Sequence, residues 1–167
     1  MTESQTNLDP STFGFFLVAV VALPLALANL LEKGSPPPGF FTTIGLLAFL
    51  VGVWAWKCNA NFGFTVFGLV GAAVFLTGYG IGYWENIAFA IVFAFSMIWA
   101  IQIGAGKNLI LILLVTALLF LFVGLSSPDL IGGDYWHWLI GIDSLVLAVL
   151  SFYMGCSCAV PEKFKAF

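Results

Sequence analysis

Six apolar runs, each long enough to cross a bilayer as a helix and each ended by a short polar or glycine-rich break, constrain this chain more than any other feature. They cover 13–31, 40–56, 62–81, 87–103, 109–125 and 138–160. A spanning helix needs about 20 apolar residues, so six crossings take up about three quarters of the chain. With 62% hydrophobic residues, 8% charged residues and a mean hydropathy of +1.10, too little polar surface is left to face water. Backbone polar groups in lipid must be satisfied within a helix or a closed barrel, and the runs lack the alternation of barrel strands. The expected fold is therefore all-α: an integral membrane protein with a six-helix transmembrane bundle over 13–160, a polar N-terminal segment over 1–12 and a tail over 161–167. The first thirteen residues carry no Lys or Arg and lead into a run of full spanning length. No cleaved signal peptide is expected, and the first helix is retained.

The breaks hold proline, glycine, asparagine and charge, as turns do. Lys57, Lys107, Lys163 and Lys165 fall on one side and Lys33 alone on the other, which places both termini in the cytoplasm and the bundle in the inner (plasma) membrane. Trp54, Trp56, Tyr83, Trp84, Tyr135, Trp136 and Trp138 sit near run ends, where an interfacial belt needs them. The net charge is −3 and every basic residue is a lysine. That excludes a basic patch for nucleic acid and leaves no guanidinium fork to clamp a carboxylate or phosphate. The expected partners are the lipid bilayer and a small solute.

Asp143 is the only acid well inside an apolar run, about five residues in, hence on the order of 8 Å from the outer end. Charge at that depth is costly and faces protein or water. A nearby helix N-terminus also favours a carboxylate, so a structural role and a vestibule or proton-linked role both stand. In the third run, Gly63, Gly68, Gly71, Ala72, Gly78, Gly80 and Gly82 make either a packing surface or a pore wall. Asn29, Thr65, Thr77, Ser96, Gln102 and Thr116, with Ser144, Ser151 and Tyr153 on the last run, form a thin polar inventory that implies a largely apolar conduit. His137 lies in the outer aromatic cluster as a polar anchor. A single histidine cannot supply both axial ligands of a bis-imidazole haem, and no His-Glu-x-x-His pattern occurs. Cys58, Cys156 and Cys158 fall toward the inner surface, where thiols stay reduced, and the last two with Met154 make no complete soft-metal site. With no phosphate loop, nucleophile elbow or paired catalytic carboxylates, no enzyme, metal or cofactor is expected.

Two stretches resemble signatures of the acetate uptake transporter family, the succinate-acetate permeases. Asp9-Pro10-Ser11-Thr12-Phe13-Gly14-Phe15 is similar to the family's Asn-Pro-Ala-Pro-Leu-Gly-Leu motif, with Pro10 and Gly14 matching best. Asn61-Phe62-Gly63-Phe64-Thr65-Val66-Phe67, followed by Gly71, is similar to the Thr-Phe-Gly-x-Thr-x-Phe stretch that opens the family's third helix. The last run, with Gly141 before Asp143 and Phe152-Tyr153 near its inner end, also resembles the family's last helix. The resemblance implies a homohexamer with a path through each protomer, lined by helices one, three, five and six, that moves acetate or another short monocarboxylate with protons or as an anion. It also implies that the family's constriction of Phe, Tyr and Leu falls on Val18, Val70 and Val115, and that Asp9, Phe13, Asn29, Thr65, Gly71 and Asp143 lie along the path. Polar positions of the family's second helix are Ala48 and Ala55 here. Valine at the neck gives a wider, less polar passage, suited to a neutral solute or a protonated acid. A six-helix urea channel family of similar size is a competing likeness, and a noncatalytic membrane scaffold or complex subunit is a competing class.

Overall fold

The computed structural model describes residues 10–165, which form six helices and no strand. In chain order they are α1 (Ser11–Leu30), α2 (Pro38–Lys57), α3 (Asn61–Thr77), α4 (Tyr83–Gln102), α5 (Lys107–Leu125) and α6 (Trp136–Ala159). All but α3 are long and apolar enough to cross a membrane. The 17 residues of α3 rise about 25 Å, at the short end of what spans. The chain is a multi-pass membrane protein. Its outward faces agree, since Phe95 and Val149 stand 66% and 61% exposed on an apolar surface that water would not tolerate.

Helix ends follow local chemistry. Pro38 takes the first position of α2, where its missing N–H and fixed φ cost nothing. Lys57 sits in the last turn of α2 and Glu85 in the first turn of α4, each complementing the helix dipole. The third helix stops at Thr77, four residues short of the apolar run, because Gly80 turns the chain at φ +80. In compensation α4 begins at Tyr83, four residues before its apolar run, which brings Asn86 into its first turn. The 126–135 loop is fastened by Trp136, whose buried indole Nε1 donates to the Gly132 carbonyl at 2.8 Å.

Three antiparallel pairs dominate the packing: α1 with α6, α2 with α3, and α4 with α5; α5–α6 and α1–α2 contacts join them. Glycine permits the first two. A Cβ on Gly141 would lie 2.7 Å from Leu30, and one on Gly155 would lie 3.0 Å from Phe16, so α6 seats directly on α1. On the other pair, a Cβ on Gly71 would lie 2.5 Å from the Phe49 nitrogen, and Gly45 packs as closely on the Phe75 backbone. Most glycines of α3 therefore serve helix approach, the general use of small residues in membranes. The gap between α3 and α4 is bridged by side chains, with the Phe62 and Trp99 rings 5.1 Å apart.

Candidate functional site

A largely apolar cavity of about 120 Å³ lies in the half of the bundle away from the lysine-rich end. Helical spacing builds it. Val18, Val21, Ala22 and Leu25 present one face of α1; Val70, Val74 and Thr77 one face of α3; Thr116, Leu119, Phe120 and Val123 one face of α5. Phe41 of α2, Asn86 of α4 and Leu147 of α6 complete the wall, so all six helices contribute. Its polar groups are few and partly occupied. The Thr77 and Thr116 hydroxyls donate to the Ala73 and Ile112 carbonyls at 2.9 and 2.7 Å, and Asn86 Nδ2 donates to the Gly82 carbonyl at 2.8 Å. What these groups still offer the cavity is acceptor oxygen and the second N–H of Asn86.

One turn toward the lysine-rich end the interior is packed with side chains. Phe15, Phe67 and Leu113 each precede a lining residue by three positions, and all three are buried. The Phe15 and Phe67 rings meet edge to face, 5.2 Å apart. Phe67 reaches this place because its ring lies on Gly14, where any Cβ would collide with it. Thus the two stretches that carry the family resemblance pack against each other at the cavity floor.

Beyond the other end of the cavity, one turn past Leu25, an open pocket of about 550 Å³ is lined by Asn29, Glu32, Lys33, Ser35, Asp134 and His137. Asn29 Nδ2 donates to the Leu25 carbonyl at 2.8 Å, and its Oδ1 lies 3.3 Å from His137 Nδ1. The pocket is polar, in contrast to the apolar cavity.

The structure gathers only some of the residues anticipated from the sequence. Val18 and Val70 line the cavity, whereas Val115 is buried in the apolar core and its neighbour Thr116 faces the space. Asn29 belongs to the polar pocket. Gly71 packs on α2, and Thr65, half-buried, donates to the Asn61 carbonyl at 3.1 Å; neither lines the cavity. Phe13 is exposed on the outside of α1. Asp143 is half-buried outside the cavity wall, with Oδ2 sealed from solvent and without a hydrogen-bond partner among the described residues. Asp9 lies outside the described residues. Gln102, counted with the buried polar groups from the sequence, is exposed. Conversely Asn86 and Asn108, which sequence reasoning left in turns, are buried in the first turns of α4 and α5. Their asparagine identity at a helix start, in place of the usual exposed cap, was the available signal.

Neither a protein-family model nor a characterised protein sequence matches the chain. Among solved structures, the bacterial acetate channel SatP superposes with a TM-score of 0.79, at 14% sequence identity and over 95% of each chain. This chain shares its fold with an acetate channel. The likeness spans nearly the whole chain and is one of fold.

Proposed function

We propose that this chain is a membrane channel or proton-linked transporter for acetate or a similar small monocarboxylate or neutral solute, with the conduit inside each protomer. The observation that carries this reading is the apolar cavity framed by all six helices in the fold of an acetate channel. Its 120 Å³ matches a solute of four non-hydrogen atoms, at about 30 Å³ per water-sized group in a liquid. The solute leaves bulk water in the Asn29–His137 vestibule, sheds hydration among Val18, Val70 and their neighbours, and waits on the Phe15–Phe67 floor. Opening requires those rings to part. By the excess of lysine on one side, both termini lie in the cytoplasm and the vestibule faces outward across the inner membrane. The family resemblance supports a homohexamer, and nothing in the site supports catalysis.

The closed floor also favours a second reading, a noncatalytic membrane scaffold or complex subunit. Transport separates the two. Proteoliposomes with a trapped pH dye, pulsed with acetate, should acidify faster than empty vesicles, and osmotic swelling with acetate, formate, urea, glycerol and ammonia should rank the solutes. Equal rates for protein-bearing and empty vesicles across the panel would favour the scaffold; faster urea than acetate would favour a urea-type conduit.

A further inference from the structure

The cavity framed by the six helices gives water little to hold. All but three of its lining side chains are hydrocarbon, and the three are Thr77, Thr116 and Asn86. Each already donates to a carbonyl of its own helix or of the turn before it, so each threonine has only its oxygen left to offer. Asn86 alone keeps both a donor and an acceptor, at the start of α4. A buried water makes about two to four hydrogen bonds. Among Val18, Val21, Val70 and Leu147 that set of partners does not exist, and this part of the space stays dry. An apolar cavity of about 150 Å³ walled by Leu, Ile and Phe stays dry in the same way and takes up benzene or xenon. At about 120 Å³ the present cavity is of the same order, with a wall of the same chemistry.

An unfilled wall is not neutral, since atoms that face a void lack van der Waals partners that an occupant restores. The wall also defines the occupant. A polar one would leave its own groups unpaired against valine and leucine. An anion would find no countercharge, because all five lysines are exposed and the chain has no arginine. Size is limited to about four water-sized groups.

A way in from the bilayer lies between α3 and α4, which are not among the helix pairs that pack backbone to backbone. Val70, Val74 and Thr77 line the cavity from one side of this seam and Asn86 from the other. Side chains alone bridge the seam, as Phe62 and Trp99 do, and side-chain rotation opens such a bridge without moving a helix. A small free molecule passes and lets the seam close, whereas a lipid tail would have to hold it open.

We propose that the cavity between Val18, Val70, Leu119 and Leu147 is a binding site for small uncharged apolar molecules dissolved in the bilayer, of the size of xenon or a four-carbon alkane, and that an occupant blocks the solute. The site rests on the cavity alone; the block rests on the conduit reading above.

Crystals of the full chain pressurised with xenon test the site, because anomalous scattering locates the atom directly. The wild type should show a xenon peak inside the cavity. Val70→Trp, whose indole fills the space, should lose that peak while keeping any on the lipid-facing surface; Ala22→Leu takes its place if the tryptophan variant does not fold. No cavity peak in the wild type, ordered waters or a lipid tail in its stead, or a peak kept in the filled variant would overturn the proposal. Flux under xenon tests the block. Where half the sites are filled, acetate-driven acidification of proteoliposomes should fall about twofold by mass action, with the leak of empty vesicles unchanged. A cavity peak with undiminished acetate flux would overturn the block, and with it a path through this cavity, while the site stands. A wild type that moves no acetate without xenon sinks the conduit reading, and the crystals then decide the site by themselves.

Discussion

At the scale of single residues, the decisive contact is Phe67 on Gly14. The ring occupies the place a Cβ would take, and its edge-to-face partner Phe15 completes the floor. Shrinking the ring should loosen the seal. Phe67→Leu is expected to raise acetate flux in proteoliposomes while lowering stability by about 1–2 kcal/mol, read as a lower melting temperature in detergent. An unchanged flux in the folded variant would show that the solute does not cross between these rings. The same scale shows why the cavity-facing residues were only partly legible in the sequence. On a membrane helix both the lipid side and the core side are apolar, so hydropathy does not say which face turns inward. Val18 and Val70 reach the cavity, but on α5 it is Thr116, one residue on, that faces it, and a step of one residue turns a side chain by about 100°.

At the scale of elements, α2 and α3 are held by backbone approach. The side of α3 that meets α2 tolerates no added carbon at Gly71, while a Cβ on Gly68 would point into open space. Gly71→Val should destabilise the protein by about 1–3 kcal/mol through forced separation of the helices. Gly68→Ala should be neutral or stabilising by up to about 1 kcal/mol, since alanine is the better helix former. Thermal denaturation of both variants in detergent checks the contrast, and equal losses would refute the assigned packing face. The glycine-rich third run was conspicuous in the sequence, yet its two uses, packing and pore wall, could not be separated without knowing the neighbour. The helix starts were blurred for a related reason: Asn86 and Asn108 are polar enough to read as turns, but each is buried at the first turn of a membrane helix.

At the scale of the whole molecule, the bilayer does most of the specifying. Continuous apolar length with no alternation leaves only helices, and the number of such runs equals the number of helices in the described chain. That much of the architecture was open to reading from residue order alone. The cavity was not, because it arises from six faces that meet only once the pairs α1–α6, α2–α3 and α4–α5 are assembled. The proposed passage requires the solute to use the space between Val18 and Val70. The most direct measurement is acetate-driven acidification of proteoliposomes bearing the wild type or Val70→Trp at matched protein density, after both are shown to melt cooperatively in detergent. The wild type should acidify the lumen well above the empty-vesicle rate, and the indole, filling the cavity, should return that rate to the baseline. Wild-type and Val70→Trp vesicles that acidify at the same rate would contradict a path through this cavity.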